Sequence, residues 1–540
     1  MKILIKGGTV YDGTGTLPRI ADVLIENEKF VSVESGSSKN KNICDVQTGD
    51  TTVINAGGMV VCPGFIDIHR HADAAVFNLP DFGKTELLQG ITSVIVGNCG
   101  ISPVPGKHQW QREHFRYIEP VVGPVTPDLP VAGYLQYREG LENVAKPVNF
   151  GFLAGAGAIK TAVKGFSKQP FSGDEMAAAK RLVSEAFDSG AFGLSFGVMY
   201  QPECYSSHDE MTALARTAAA NKSETVLCFH IRGEGDSLVE SIEEVIRIAQ
   251  SAGLKANISH FKATGIKNWQ NLIFKAIEKI ETARDRGLEI TADFYPYDGG
   301  STTILSLLPP VLMEDSIEAL CAKLAGRDGS DLLRREISRT HPGWDNMAMS
   351  IGWDRIIVSS VSLPSHNGYC GRSLKAIALE EGFDDPCHLL RDLIVSEEGK
   401  VGIIVLSMNQ NDIDTIARLP WTCLISDSLY NRAANPHPRL NGAFPKFLRE
   451  YVKERRLLSM EEVIRKMTGI PAERMGLKNR GRILPGYAAD VLVFDPGKFT
   501  DNAVYSNPKL LAGGMGTVIL NGKIVYANGV FHASNGLVLP

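Results

Sequence analysis

The chain has 540 residues, of which 44% are hydrophobic and 22% are charged, and its formal net charge is −5 with histidine counted as neutral. This length supports a large buried core and about two to four domains, and the near-average composition excludes a wholly disordered or fibrous chain. The small negative charge and the absence of any apolar run near the roughly 18 residues of a membrane helix argue against nucleic-acid and membrane partners.

The first sixty residues are predicted to be β-structure. Residues 2–5 and 22–25 are short strand candidates, and residues 9–14 and 26–29 have the composition of turns. Residues 30–51 are polar and are predicted to form loops around short strands. The apolar core at the N-terminus is too short for a signal peptide, so we expect none.

The middle of the chain alternates between short apolar runs and helical patterns. Near-continuous apolar character is what a strand buried on both faces requires. The eight runs are residues 60–68, 92–96, 149–154, 191–196, 225–231, 255–261, 289–294 and 422–426. Eight strands that alternate with helices predict an α/β fold with a (β/α)8 TIM-like barrel, and the alternative is an open doubly wound sheet.

Helix-end signals support this alternation. A helix is predicted over residues 174–187, with Ser172 as its N-cap and two acidic residues in its first turn. Another is predicted over residues 236–252, where the apolar positions share one face and Gly253 ends the helix.

The interval between the seventh and eighth strands is long for a barrel connection. It covers about residues 298–421 and has helical patterns of its own at residues 314–324 and 374–380. Connections of this length usually form a lid, a binding segment or a subdomain, so we predict an insertion.

The C-terminal end is again β-rich. Residues 489–494, 518–520 and 523–526 are predicted strands, with an Asn521-Gly522 hairpin signal between the last two. Because chain termini commonly lie close together, the two β-rich ends predict one discontinuous domain. The predicted domains are a small β-sandwich of residues 1–60 and 482–540 and a barrel of residues 61–481.

Polar side chains follow five of the predicted strands, at the point where each strand ends. They are His69, His71, Cys99, His230, His260 and Asp427. In a barrel these ends surround one mouth, so the groups converge there, and an extended backbone directs the first two histidines to the same side. A lone histidine after an apolar strand is more often a core residue than a ligand. The joint set of His, Cys and Asp, however, is the ligand set of a borderline metal such as zinc.

The nine cysteines are scattered and odd in number, which does not indicate a disulfide framework. A reducing cytoplasmic location fits this usage better. We interpret Cys99 as functional and the other cysteines, Cys44 among them, as small buried apolar residues.

Seven stretches of sequence carry a family resemblance. They are residues 61–71, 97–103, 190–195, 230–235, 258–262, 295–302 and 437–439. With these stretches the chain resembles the N-acyl-D-amino-acid deacylases, or D-aminoacylases, of the amidohydrolase superfamily over about residues 3–495. The opening of the first stretch is common across the superfamily, whereas Asn98-Cys99-Gly100 and Ser259-His260-Phe261-Lys262 are more specific to this branch.

The resemblance implies a metal-dependent hydrolase barrel and a role for each matching metal-binding residue. Cys99, His230 and His260 would hold one tightly bound zinc ion. His69 and His71 would form a second, weaker metal position, with Cys99 as the bridge between the two.

The activity that the resemblance implies is hydrolysis of N-acyl-D-amino acids, small-molecule substrates, to a carboxylate and a free D-amino acid. Asp427 would take a proton from metal-activated water and hand it to the leaving amine. Lys262, Tyr295 and Ser301 would bind the substrate carboxylate, and one cation with two hydroxyl groups suits an anion. Residues 301–311 are apolar and contain no arginine, which favours hydrophobic D-amino acids over D-Asp or D-Glu.

Two departures from related proteins bear on the alternatives. Most superfamily hydrolases with two metals bridge them with a carboxylated lysine from the fourth strand, but that strand here reads Gly193-Leu194-Ser195-Phe196-Gly197, and Cys99 can take the bridging role. This favours a deacylase over a cyclic-amide or isoaspartyl-peptide hydrolase, the alternative enzyme. Ala156 stands where family members often have histidine. A catalytically inactive scaffold, the non-enzyme alternative, predicts lost ligands, yet all of them are present.

Overall fold

The computed structural model of the chain describes residues 2–35, 51–313 and 316–539. Cys44 and most of the polar segment predicted as loops lie outside these ranges. Among the described residues, no helix has both the length and the apolar composition needed to cross a lipid bilayer.

Eight parallel strands form the predicted (β/α)8 barrel. In chain order, β1 to β8 are Phe65–Asp67, Ile91–Val96, Asn149–Phe152, Gly193–Gly197, Val226–His230, Lys255–Ile258, Ile290–Phe294 and Thr422–Leu424. A short extension of β3, Ala154–Gly155, pairs with β4. The ring closes where Ser428–Leu429, just after β8, pairs in parallel with Arg70–His71, just after β1. Because the ring is closed, the C-terminal ends of all eight strands surround one mouth.

The apolar run of residues 60–68 is not one strand, contrary to the prediction. Val60–Pro63 pairs antiparallel with Val491–Phe494 in the terminal sheet, and only β1 belongs to the barrel. The chain changes sheet at Gly64, where the backbone N–H donates to the Asp490 carbonyl at 2.9 Å. A Cβ atom at Gly64 would lie 2.1 Å from Oγ1 of Thr92, so only glycine fits this crossing.

Helices that connect the strands cover the outside of the barrel, and further helices follow β8. The α-helices outside the insertion are Ala75–Asn78, Lys84–Leu88, Gln111–Val122, Tyr134–Asn143, Ala156–Lys164, Gly173–Asp188, His208–Asn221, Leu238–Ala252, Leu272–Asp285, Arg439–Leu448, Met460–Met467 and Gly469–Arg474, and Arg449–Glu454 is a π-helix. The predicted N-cap at Ser172 and the predicted helix end at Gly253 are confirmed, whereas the second helix begins at Leu238 and not at residue 236. Ser172 accepts the Glu175 backbone N–H in a capping box, and Gly253 adopts a left-handed conformation after Ala252.

The insertion packs its own small sheet against the barrel mouth. Its strands Gly300–Thr303, Gly402–Val405 and Ile356–Ser360 are antiparallel. Its α-helices are Ile317–Ala325, Gly329–Ile337, Met347–Ile351, Leu374–Glu380, Pro386–Ser396 and Gln410–Arg418. Short 3-10 turns of the barrel are Glu203–Tyr205 and Ile266–Asn268, and those of the insertion are Ile304–Leu307, Pro310–Leu312, Trp353–Arg355 and Pro364–Tyr369.

Strands from both ends of the chain form one sheet. In chain order they are Lys2–Val10, Arg19–Glu26, Lys29–Ser35, Thr51–Asn55, Val60–Pro63, Val491–Phe494, Met515–Leu520, Lys523–Ala527 and Val530–Phe531. Asn521 and Gly522 both have positive φ in the predicted hairpin. The sheet has a hydrophobic core of its own, to which Ile5, Val23 and Val491 belong. The domain boundaries given above stay predictions.

Candidate metal and active site

The predicted site residues lie around one cavity at the barrel mouth. Its lining includes His71, Cys99, His230, His260, Lys262, Tyr295, Ser301 and Asp427. His69 lies directly behind Cys99 and is fully buried. The ends of β1, β2, β5, β6, β7 and β8 therefore bring these groups together.

Cys99 lies between two imidazole rings. Its Sγ atom is 3.2 Å from Nε2 of His69 and 3.6 Å from Nε2 of His260. Among the described residues, the three side chains form one of three groups of possible metal ligands whose ligand atoms all lie within 4.8 Å of one another. Burial raises the pKa of the Cys99 thiol, so a thiolate here needs a nearby cation.

Asp427 faces the first two histidines on one side and an arginine on the other. Its Oδ1 atom is 3.5 Å from Nε2 of His69 and 3.4 Å from Nε2 of His71. Its Oδ2 atom is 2.8 Å from Nη1 of Arg439. Burial alone would raise the pKa of Asp427, but Arg439 and His69 hold it well below its usual range, so the carboxyl is ionised.

His230 belongs to a different group from Cys99. Its ring centre is 4.4 Å from that of His260, and it shares a group of possible ligands with His260 and Glu234. The Tyr200 ring packs on its other side, with 4.7 Å between the ring centres. Among the described residues, Cys99 and His230 each share a group of possible metal ligands with His260, but not with each other.

The donor atoms fit a bound metal ion. Among the described residues, both ring nitrogens of His230 and Nδ1 of His71 are buried without a hydrogen-bond partner. Burial lowers the pKa of His230 and His260 well below its usual value, so both rings are neutral, which metal ligation requires. Unpartnered buried nitrogens are costly unless they bind a ligand, and thiolate, imidazole and carboxylate together suit zinc.

The three residues predicted to bind a carboxylate differ in how they are engaged. Lys262 Nζ is 2.5 Å from Oε1 of Glu234 and 2.7 Å from Nδ1 of His260. Ser301 donates its hydroxyl to the Ile403 carbonyl at 3.1 Å. Tyr295 lies beneath Arg439, whose guanidinium carbon is 4.7 Å from the ring centre.

Sequence reasoning missed three charged residues of the site. Glu234 contacts His260 and Lys262, and Arg439 contacts Asp427. Asp293 accepts the His260 backbone N–H at 2.5 Å, and its Oδ1 atom lies 3.8 Å from Nδ1 of His69. Glu234 and Arg439 do fall within stretches that carry the family resemblance, which was the available signal. Asp293 lies inside β7 and has no such signal.

Three of the predicted site residues share an unusual backbone conformation. Cys99, His260 and Asp427 have φ angles of 56°, 36° and 51°. Positive φ is disfavoured for residues with a Cβ atom and is concentrated at functional sites, where the surrounding structure enforces it.

The chain resembles known amidohydrolases and deacylases over most of its length. The amidohydrolase family model matches residues 52–327 and 386–526. The chain is 30% identical over 534 residues to an N-acyl-D-glutamate deacylase of Alcaligenes xylosoxydans xylosoxydans, covering 97% of this chain and 94% of the relative. It is 29% identical to a D-aminoacylase of the same organism, covering 98% and 95%.

A solved structure shares the whole architecture. It is the N-acyl-D-glutamate deacylase of Bordetella bronchiseptica, complexed with zinc and a phosphonate inhibitor that mimics the tetrahedral intermediate of the reaction. The two chains are 28% identical, the TM-score is 0.82, and the match covers 99% of each.

Proposed function

The chain belongs to the amidohydrolase family, and from that premise we propose that it is a zinc-dependent deacylase that hydrolyses N-acyl-D-amino acids to a carboxylate and a free D-amino acid. One observation carries the proposal. Cys99 lies between His69 and His260, close to the ionised Asp427, at the barrel mouth beside cationic and hydroxyl side chains. That arrangement suits metal-assisted cleavage of an amide whose substrate carries a carboxylate.

Zinc is the metal that we assign to the site. Cys99, His230 and His260 would hold the tightly bound ion, and His69 and His71 would form a second, weaker position with Cys99 as the bridge. When bound, zinc supplies a water of lowered pKa and a Lewis acid for the acyl oxygen.

Asp427 is the proposed general base and acid. The contact with Arg439 keeps its carboxylate ionised, so it is ready to accept a proton from water. It then delivers that proton to the leaving nitrogen, because an amide nitrogen leaves poorly as an anion. The Arg439 contact on Oδ2 leaves Oδ1 to handle the proton.

The substrate carboxylate is assigned to Lys262, Tyr295 and Ser301, with Arg439 as a fourth member. Arg439 is buried, and its Nε atom has no hydrogen-bond partner among the described residues. A fixed guanidinium beside two hydroxyl groups recognises a carboxylate in one orientation. The stereocentre is then presented to the metal in one hand, which accounts for selection of the D-isomer.

An apolar substrate side chain fits the surroundings better than an acidic one. A second cavity shares Met199 and Tyr200 with the first, and Leu305 and Leu308 line it. The guanidinium at its edge, Arg232, is already paired with Glu244 through contacts of 3.0 and 3.1 Å. The apolar Leu305 and Leu308 and the Asp345 carboxyl, which lines both cavities, favour hydrophobic D-amino acids over D-Asp and D-Glu.

The test is a chiral assay of amine release from N-acetyl-D-methionine by the zinc-loaded protein. Wild type should act on the D-isomer alone, and on D-Met and D-Leu derivatives better than on the D-Glu derivative. Asp427→Asn should lose about 100-fold or more in kcat. Asp384→Asn, a matched change at an exposed loop, should be unaffected. Near wild-type turnover by metal-loaded Asp427→Asn would contradict the proton-transfer role, and turnover of hydantoin or dihydroorotate alone would replace the deacylase by a cyclic-amide hydrolase.

A further inference from the structure

The turn that carries Cys99 has a strained backbone. Gly97, Cys99 and Gly100 have φ angles of 76°, 56° and 65°, so three of four successive residues are left-handed. Only Cys99 among the three has a Cβ atom that this conformation disfavours. Something outside the turn must therefore hold it, because a relaxed turn would move Sγ away from His69 and His260.

Ser195 of β4 bonds to both ends of this turn. Its hydroxyl donates to the Gly97 carbonyl, and its Oγ atom accepts the Gly100 backbone N–H at 3.1 Å. The side chain is fully buried and touches no solvent. One hydroxyl thus satisfies the donor and the acceptor that the left-handed turn leaves open around Cys99.

The C-terminal end of β4 and the segment after it pack closely against the turn that carries Cys99. A Cβ atom at Gly197 would lie 1.8 Å from the Cys99 carbonyl oxygen, and one at Gly100 would lie 1.8 Å from Oε2 of Glu203. Glu203 itself accepts the Gly197 backbone N–H at 2.7 Å. The turn is therefore confined by packing, while Ser195 supplies its side-chain hydrogen bonds.

We propose that Ser195 is a positioning residue that locks Cys99 in the orientation needed to ligate a metal. The inference rests on the proposed function in one respect, that the Cys99 cluster binds a metal. It adds that β4, which provides no ligand to this cluster, sets the metal affinity through a hydroxyl group.

The experiment titrates the metal-free full-length protein with Co²⁺ and follows the thiolate-to-cobalt charge-transfer absorption. Among the described residues, Cys99 is the one cysteine that belongs to a group of possible metal ligands, so this band reports its bond to cobalt and does not depend on any substrate. Ser195→Ala should weaken cobalt binding about 10- to 100-fold, as removal of outer-shell partners does at other metal sites, and should weaken the band at saturation. Ser359→Ala is the matched control, a buried serine of the insertion whose Oγ has no partner among the described residues, and it should bind like wild type.

A second pair of variants isolates the hydroxyl group. Ser195→Thr and Ser195→Val introduce side chains of the same shape, so a steric effect is common to both. The threonine variant should bind cobalt at least 10-fold more tightly than the valine variant. This pair decides the question even if Ser195→Ala does not fold.

The measured outcomes separate the role of Ser195 from the existence of the metal site. If wild type binds cobalt with the thiolate band and Ser195→Ala matches it in affinity and band, the role of Ser195 is refuted while the metal site stands. A lower melting temperature with unchanged cobalt binding refutes it equally, because it shows a purely structural role. If wild type itself shows no thiolate band, both the metal site and the Ser195 inference fall.

Discussion

Replacing Arg70 with methionine is expected to destabilise the protein by about 3–5 kcal/mol. Arg70 lies between His69 and His71, and its side chain is fully buried. Its guanidinium is 3.1 Å from Oδ2 of Asp67 and 2.9 Å from Oε1 of Glu86. Both carboxylates are themselves buried, so removing the cation leaves two buried carboxylates that keep neutral hydrogen-bond donors but lose their counter-charge.

The magnitude follows from the contacts that are lost. Besides the two carboxylates, Arg70 donates to the Tyr430 hydroxyl at 2.6 and 2.9 Å and to Ser426 Oγ at 3.2 Å. A hydrogen bond to a charged group contributes about 1.5–3 kcal/mol, so the two carboxylate contacts alone account for the lower bound. Methionine preserves most of the aliphatic packing, which limits any added cavity cost. The same contacts tie the segment of His69 and His71 to the segment after β8, so metal binding should weaken as well.

The assay is urea unfolding of the metal-free protein followed by circular dichroism. Arg482→Met is the matched control, because Arg482 makes a 3.6 Å ion pair with Glu473 and the two side chains are 36% and 72% exposed. Exposed pairs of this kind contribute about 0–1 kcal/mol. A loss below 1 kcal/mol for Arg70→Met, equal to the control, would show that the buried charge pairs do not stabilise the fold. Adding Asp67→Asn and Glu86→Gln to Arg70→Met should recover much of the stability, since no buried charge then remains.

Three further outcomes are expected. Arg439→Met should lower kcat/KM for N-acetyl-D-methionine about 10- to 100-fold, and Arg439→Lys should not restore it, because the guanidinium serves Asp427 and the Tyr295 ring together; unchanged kinetics would contradict this. Burial raises the pKa of Glu203 to about 8 from 4.5, so the folded state binds more protons than the unfolded state between these values. The contribution of Glu203 to stability should therefore fall as pH rises from about 5 to 8, and thermal melts of Glu203→Gln should show a shallower slope than wild type. Chelation should abolish amide hydrolysis and lower the melting temperature, and added zinc should restore both; full activity at negligible metal content would exclude a metal requirement.

Much of the barrel could be predicted because a strand buried on both faces is almost continuously apolar. β2 illustrates this, since all residues of Ile91–Val96 are buried. The same signal was wrong at residues 60–68, because apolar character shows that a strand is buried but not which sheet it joins. The change of sheet depends on how closely Gly64 passes Thr92, a contact between elements that local patterns do not contain.

The same limit applies to the candidate site. The sequence shows the residue types that can bind a metal, but it does not show which other residues fix the backbone of those ligands. Histidine, cysteine and aspartate at strand ends indicated a metal cluster, and the structure brings Cys99 together with His69 and His260. The left-handed backbone at Cys99, His260 and Asp427 has no sequence signal, because none of these residues is a glycine. Each is held by a neighbour from another part of the chain. Ser195 bonds to the Cys99 turn, Asp293 accepts the His260 N–H, and the His69 carbonyl accepts the Asp427 N–H at 2.9 Å. A chain that kept every ligand but lost these restraints would still match the ligand pattern. The metal affinity of variants at the restraining positions is therefore a more stringent test of the site than the metal affinity of variants at the ligands.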